Sequence, residues 1–261
     1  MTGSTLGKEE THALSTSTRI AQITDCHLPA DPRQKYRGID PYHTLKTLVR
    51  KVKALKPDLL LATGDLSEDG SRVSYRALQK ILEPLGVPVL ALPGNHDDPE
   101  MLASAFPGSP VDNIVVSAHG AWQIIRLNSC IPSKPEGRLN ERVLDGLEGF
   151  LANHEKYPCL ISLHHQPVTV GSPWIDKYRL VNPENFLQLI DRFPNVKAVV
   201  WGHVHQVFEG VRKGVAMLGG PSSAINGQPG TQKFTPDTLG PAFRWLELKA
   251  DETLRSGIIA A

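Results

Sequence analysis

Five short polar motifs in this chain each follow closely on an apolar run that predicts a buried strand. In chain order, the runs and their motifs are RIAQIT with Asp25-Cys26-His27, DLLLAT with Gly64-Asp65, VPVLAL with Gly94-Asn95-His96-Asp97, PCLISL with His164-His165, and VKAVVW with Gly202-His203-Val204-His205. In open α/β sheets, ligands bind beyond the carboxyl ends of the strands. We therefore expect the five motifs to meet in one cleft.

The side chains in these motifs are of the kinds that bind metal ions. Carboxylate oxygens and imidazole nitrogens suit divalent ions such as zinc, manganese and iron. In the first and last motifs the two ligands stand two positions apart, and in an extended segment such residues lie on the same side. The seven predicted metal ligands are Asp25, His27, Asp65, Asn95, His164, His203 and His205.

Each motif taken alone also has an explanation that involves no metal. Gly-Asp and Gly-Asn after a strand are typical of turns and helix caps. A histidine considered alone, such as either one of the fourth motif, is often a partly exposed residue at the edge of the core. The joint order and placement of all five motifs favour a metal site over these separate explanations.

The order of predicted elements indicates an α/β fold. Pro41 begins a helical pattern that Pro57 ends, and a second helix is predicted over 71–83. Alternation of these helices with the first three strands is typical of a parallel sheet with crossover helices. The second half is less regular, with a strand pair around His119–Gly120, helices over 140–153 and 183–192, and short strands in VFEGV, VAMLG and FRWLELKA.

The chain is predicted to form one domain over residues 19–261, after a flexible N-terminal tail at 1–18 that is polar and rich in Ser and Thr. The tail lacks the apolar core of a signal peptide. No run approaches the ~18 apolar residues of a transmembrane helix. We therefore expect a cytoplasmic protein without a membrane partner.

Charge and cysteine content narrow the function classes further. The chain has 28 Lys and Arg against 27 Asp and Glu, which predicts no nucleic-acid partner, although a local basic patch is compatible with this balance. The three cysteines, Cys26, Cys130 and Cys159, are widely spaced and form no CxxC pair. A disulfide framework or zinc finger is not indicated.

The series DxH, GD, GNHD, H and GHxH, in this order, resembles the signature of the calcineurin-like metallophosphoesterases over about residues 19–250. The segments QITDCHL, ATGDLSEDG, LPGNHD, LHHQPV, GSPWID, RFPNVK, WGHVHQ and FTPDTLGPAFRWLEL further resemble the bacterial class III 3′,5′-cyclic AMP phosphodiesterases. The resemblance implies an α/β fold of the four-layer αββα sandwich type with mixed central sheets. It also implies hydrolysis of 3′,5′-cyclic AMP to 5′-AMP.

The resemblance divides the ligands between two metal ions, with iron and manganese implied and zinc also compatible with the ligands. Asp25, His27 and His205 hold one ion, and Asn95, His164 and His203 hold the other. Asp65 bridges the two, and His96 faces the substrate phosphate. Two departures from the family are noted: Cys26 stands where relatives often have Thr or Ser, and Gln166 precedes Pro167.

The mechanistic hypothesis is that a metal-bound hydroxide attacks phosphorus in line with the leaving 3′ oxygen. His96 is assigned to protonate that oxygen, with Asn95 and Asp65 as further catalytic residues. The predicted substrate contacts are His27, Asp65, Asn95, His96 and His205. Asp97 or Asp98 either orients His96 or caps a helix.

The sequence constrains the substrate specificity and the oligomeric state less than it constrains the metal site. The base is expected to be read by the 29–40 loop, by GSPWID with Trp174 and Tyr178, or by the 219–235 stretch; Trp174 either stacks on adenine or packs its loop. Alternatives are a broader phosphodiesterase acting on glycerophosphodiesters or 2′,3′-cyclic nucleotides, a phosphomonoesterase, and a non-enzymatic scaffold. Both a monomer and a homodimer fit the sequence.

Overall fold

The computed structural model describes residues 17–261, in which two sheets pack between layers of helices. The strands are β1 Ser17–Ile23, β2 Leu59–Thr63, β3 Val89–Leu92, β4 Val115–His119, β5 Trp122–Arg126, β6 Cys159–Ser162, β7 Val196–Trp201, β8 Phe208–Arg212, β9 Val215–Gly219, β10 Ala242–Lys249 and β11 Leu254–Ala260. The helices are α1 Pro41–Leu55, α2 Arg72–Leu82, α3 Pro99–Ala105, α4 Glu141–Asn153, α5 Pro173–Asp176 and α6 Pro183–Ile190, with a 3-10 turn at Glu83–Leu85.

Local sequence explains where the first helix begins and ends. The Asp40 side chain caps α1 by accepting a hydrogen bond from the His43 backbone N–H, and Pro41 occupies the first turn, where no N–H is needed. Leu45 and Leu48 are among the residues that face the core at helical spacing. The helix stops at Lys56, which adopts a left-handed conformation immediately before Pro57.

The first sheet has the strand order β11-β10-β1-β2-β3, and the second has the order β4-β5-β6-β7-β9-β8. Strands β1, β2 and β3 are parallel, as the strand–helix alternation predicts, while β10 joins β1 in antiparallel register. In the second sheet β5, β6, β7 and β9 run parallel, with antiparallel edge strands. Both sheets are therefore mixed.

Three apolar clusters account for the four layers. One cluster joins the first sheet to α1, α2 and α3, and another joins the second sheet to α4, α5 and α6. The third lies between the sheets, where residues such as Leu61 and Leu246 of the first meet Ile124 and Val200 of the second. This arrangement confirms the αββα sandwich.

The elements differ from the predictions at a few places. The predicted tail ended at residue 18, but Ser17 and Thr18 already belong to β1, because they pair with Lys249 and Leu248 of β10. Residues 1–16 lie outside the described part of the chain. Strand β11 and the short helices α3 and α5 were not predicted. Within residues 17–261, no helix is both long and apolar enough to cross a membrane.

Candidate metal centre

The five predicted motifs come together, but they do so from two sheets rather than one. The first three motifs follow β1, β2 and β3 of the first sheet, and the last two follow β6 and β7 of the second. Hydrogen bonds cross between the sheets here: Gln22 Nε2 donates to the Trp201 carbonyl at 3.0 Å. The His203 backbone N–H donates to the Asp25 carboxylate at 3.0 Å. The cleft is therefore the line where two sheet edges meet.

The backbone of the site is unusual. Asp25, His27, Asp65, His203 and His205 all have positive φ, between 47° and 67°. Residues other than glycine adopt this left-handed region infrequently, and Asp and His do so more readily than most. The expectation that DxH and HxH are extended is therefore wrong. Their side chains converge because the loops turn sharply, a strain that proteins retain mostly at functional sites.

Asp25, His27 and His205 form the first group of donor atoms. Nε2 of His27 lies 3.2 Å from Nε2 of His205, and Asp25 Oδ1 lies 3.3 Å from Nε2 of His205. Each imidazole has its Nδ1 bound elsewhere: His27 to Glu68 Oε2 at 2.7 Å, and His205 to the Ile225 carbonyl at 2.8 Å. Because these acceptors engage Nδ1, both rings direct Nε2 at the same point.

The second group of donor atoms includes His164 and His203, as predicted, but also His165. His164 donates Nδ1–H to the Thr63 carbonyl at 2.8 Å, so its Nε2 faces Asp65 Oδ2 at 3.4 Å. His165 instead engages Ser129 Oγ through Nδ1 at 2.8 Å. All three rings are buried.

The ionisation of the two neighbouring histidines distinguishes them. Burial opposes protonation of His164, but the Asp65 carboxylate outweighs burial and raises the pKa of His164 to about 9. Burial and then the charge of His164 lower the pKa of His165 to about 3. Asp65 therefore pairs with His164, the member of the pair predicted as a ligand, and not with His165.

Asp65 lies between the two groups. Its Oδ2 is 3.4 Å from His164 Nε2 on one side and 3.8 Å from His27 Nε2 on the other. The loop that carries Asn95 rests directly on it, because a Cβ atom at Gly94 would overlap the Asp65 carboxylate and come within 2.8 Å of His164 Cε1. Only glycine at position 94 permits this approach. The position of Asp65 is the one expected of a bridging ligand.

His96 lies at the mouth of the site and was not predicted to bind metal, although one of its ring nitrogens lies within 4.8 Å of donor atoms of His27 and Asp65. Its backbone N–H donates to Asp65 Oδ1 at 2.9 Å, while its ring is 37% exposed. Ring Nδ1 lies 3.4 Å from both the carbonyl and the carboxylate of Glu68. Burial lowers the pKa of His96, but the charges of Asp65 and Glu68 outweigh burial and raise it above its ordinary value.

Neither proposed role of Asp97 is found. Its carboxylate accepts hydrogen bonds from the backbone N–H groups of Gly94 and Ser67 at 2.9 Å and from the Tyr75 hydroxyl at 3.0 Å. It therefore ties the second and third motif loops together. Asp98, the next residue, caps α3 by accepting from Glu100 and Met101. The group that faces the His96 ring is Glu68, which sequence reasoning missed.

The predicted base-reading loops meet on the His27 side of the site. Tyr36 stacks on His27, and the Arg37 guanidinium lies 4.2 Å from the Phe234 ring centre. Trp174 meets Phe234 edge to face at 5.2 Å and packs against the core of the second sheet. Trp174 thus packs its loop, which is one of the two interpretations that the sequence left open.

Cys26 points away from the donor atoms. It is 1% exposed and belongs to the apolar cluster between the first sheet and its helices. Burial, with the nearby Asp25 carboxylate, raises the pKa of its thiol well above the usual range. Cys26 is therefore a packing residue, and this environment disfavours the reactive thiolate.

Comparison with known proteins assigns the family. The sequence pattern of the calcineurin-like phosphoesterases matches residues 18–207. This chain belongs to the calcineurin-like phosphoesterase family. A 3′,5′-cyclic adenosine monophosphate phosphodiesterase of Pseudomonas aeruginosa is 36% identical over 95% of this chain and 92% of its own length. A 3′,5′-cyclic-nucleotide phosphodiesterase of a Nostoc species is 39% identical over 90% of this chain and 89% of its own.

Among solved structures, a dimetal phosphatase from Danio rerio superposes on this phosphoesterase with a TM-score of 0.66. The alignment covers 93% of this chain and 98% of the other, at 16% identity. At that identity the likeness supports the fold alone. The family resemblance predicted from the motifs is confirmed, together with the sandwich that it implied.

The donor atoms of this phosphoesterase fit the two metal ions that its family implies. Within residues 17–261, several buried polar atoms at the centre have no hydrogen-bond partner, namely Asn95 Oδ1, His164 Nε2, His165 Nε2 and His203 Nε2. Leaving such groups unpaired costs about 1–3 kcal/mol each. Converging lone pairs of nitrogen and oxygen are satisfied by a cation, and not by one another, so the residues present suit a dinuclear site.

Proposed function

We propose that this phosphoesterase hydrolyses 3′,5′-cyclic AMP to 5′-AMP with two metal ions held at the site. The observation that carries the proposal is the likeness, along nearly the whole chain, to relatives named as cyclic AMP and cyclic-nucleotide phosphodiesterases. A site in which all seven predicted ligand positions retain donor side chains supports it. A non-enzymatic scaffold is disfavoured because no ligand and no catalytic histidine is missing.

The proposed ligand sets follow the donor groups. Asp25, His27 and His205 hold one ion, and His164, His203 and Asn95 hold the other, with Asp65 shared. Two bound ions would supply Lewis-acid stabilisation of the negative charge that develops on the phosphate oxygens. Iron and manganese are proposed as the native metals, and zinc fits the same nitrogen and oxygen ligands.

His96 is proposed as the group that contacts the phosphate and gives a proton to the leaving 3′ oxygen. Its exposed ring at the mouth of the site, next to the donor atoms of His27 and Asp65, supports this role. Glu68 orients the ring through Nδ1, which leaves Nε2 free to face the substrate. Proton donation by a positioned side chain contributes about 10²–10⁴-fold to a reaction rate.

The sharpest experiment compares substrates on one metal-reconstituted preparation. The set is cyclic AMP, cyclic GMP, 2′,3′-cyclic AMP, bis(p-nitrophenyl) phosphate and p-nitrophenyl phosphate, with nucleotide products identified by chromatography. We expect cyclic AMP to have the highest kcat/KM and to yield 5′-AMP. Preference for the monoester or for 2′,3′-cyclic AMP, or 3′-AMP as the product, would contradict the proposal and favour a broader phosphoesterase.

A further inference from the structure

A cleft of about 560 Å³ opens beside the metal centre, with His96 and Asn95 on its inner side. This volume lies within the range of small-molecule sites. Val111, Ile131 and Pro132 contribute apolar surface to its walls. The cleft therefore continues from the position proposed for the phosphate toward space for a partly apolar group.

Arg138 lines this cleft and contributes its one permanent positive charge. The side chain is exposed, and among residues 17–261 its guanidinium forms no ion pair or hydrogen bond. Arg37, on the His27 side of the centre, is already engaged: it donates to the Tyr36 hydroxyl at 3.1 Å and lies over Phe234. The guanidinium of Arg138 is thus free to meet a ligand.

The backbone at Arg138 is firmly held next to the metal centre. Gly137 packs so closely on the buried ring of His165 that a Cβ atom there would overlap it. The Arg138 N–H donates to the Ser129 carbonyl at 2.8 Å, and Ser129 Oγ bonds His165. Leu139 on the other side is buried. The segment therefore fixes the backbone position from which the Arg138 side chain reaches the cleft.

The remaining charges of the cleft are negative. Four exposed carboxylates line it, those of Asp69, Asp98, Glu100 and Asp112, together with the partly buried Asp97. These carboxylates repel any further phosphate group of a ligand bound at the metal centre. A polyphosphate or a nucleic-acid strand is therefore disfavoured on this side. A cyclic mononucleotide carries its one charge on the phosphate, and its nucleoside is neutral.

We infer that this cleft binds the nucleoside of the mononucleotide substrate and that Arg138 is a specificity-determining residue that contacts the base. The inference rests on the proposed function for its substrate class. Guanidinium planes stack on nucleobases and donate to their ring acceptors. The opposite side of the centre offers a base fewer free side chains. Its aromatic and cationic residues pack on one another or on His27, namely Tyr36, Arg37, Trp174 and Phe234.

The test uses inhibition of bis(p-nitrophenyl) phosphate hydrolysis by 5′-AMP and by ribose 5-phosphate, which differ by the base. In Arg138→Ala we expect the inhibition constant of 5′-AMP to rise roughly tenfold, while that of ribose 5-phosphate rises less than about twofold. Arg138→Lys keeps the positive charge but loses the planar guanidinium. Its inhibition constant for 5′-AMP is expected to lie between those of the wild type and Arg138→Ala. Arg142→Ala, an exposed arginine on α4, is the matched control.

Equal weakening of both inhibitors in Arg138→Ala would overturn the inference, since it would indicate a structural role. No change in 5′-AMP inhibition would overturn it as well. If the wild type leaves cyclic AMP intact but Arg138→Ala still weakens 5′-AMP inhibition selectively, the proposed function alone is contradicted. If the wild type hydrolyses cyclic AMP but Arg138→Ala shows no selective effect, the inference alone is contradicted.

Discussion

The ring of Tyr36 lies flat against the ring of His27, with 3.9 Å between centres and 8° between planes. Glu68 holds the same ring through Nδ1 at 2.7 Å. The stack and the hydrogen bond together leave His27 one orientation, with Nε2 toward Asp25 and His205. Hydrogen-bond partners of this kind fix the tautomer and the ring orientation of a metal-binding histidine and raise its basicity.

Glu68→Ala is expected to weaken metal binding at the His27 group about 10–100-fold, because the imidazole loses its orienting acceptor. Tyr36→Ala should also weaken metal binding there, because the stack on His27 is lost. Tyr36→Phe should bind metal about as tightly as the wild type, because that stack is kept. Metal per chain, measured during titration with Mn²⁺, is the readout. The control is the exposed Glu155→Ala; unchanged affinity in Glu68→Ala would count against the orienting role.

Asp65→Ala is expected to lose both metal ions, because its carboxylate lies between the two donor groups. Elemental analysis of the purified variant should find well under one ion per chain. The exposed Asp145→Ala serves as the matched control for loss of a carboxylate. Two ions per chain in Asp65→Ala would show that the bridging assignment is wrong.

His96→Ala is expected to keep its metal content while kcat falls about 10²–10⁴-fold, since only the proton donor is removed. Steady-state hydrolysis of cyclic AMP, with metal analysis on the same sample, separates these effects. The exposed His43→Ala should match the wild type in both. Near wild-type turnover by His96→Ala would rule out the assigned role.

Cys26 is expected to resist iodoacetamide in the folded protein. It is 1% exposed, and burial raises the pKa of its thiol, so little thiolate is present or reachable. Mass spectrometry after alkylation should find Cys26 unmodified with activity retained, and modified once the chain is unfolded. Rapid alkylation of native Cys26 with loss of activity would instead indicate a redox-sensitive site.

The predicted strands lie close to the observed ones because their signals are contained in short local stretches of sequence. Runs such as DLLLAT and VKAVVW are mostly apolar because both faces of these strands are largely buried, as in β2 and β7. Helix signals at Asp40 and Pro41 are equally local. Strand β11 was missed because it is largely half-buried and stands out weakly in the sequence.

Several features of the site could not be predicted from single positions. Glu68 reaches His27 from a loop 41 positions further along the chain and Tyr36 from the loop that follows His27, and no pattern in the sequence marks either as a partner. Asp97 fastens two motif loops instead of orienting His96, because three backbone N–H groups point at its carboxylate. Arg138 gains its place beside the centre through the packing of Gly137 on His165.

The sequence by itself determined the family and the layered α/β class, and it predicted the residues proposed to carry the chemistry, because these depend on residue types in a fixed order. Only the tertiary structure decided how the motifs divide between the two sheets, three on the first and two on the second, and that the ligand pairs turn through left-handed backbone. Sheet pairing and loop conformation arise from contacts such as β1 with β10, more than 200 residues apart in the chain. No local pattern encodes contacts of that range.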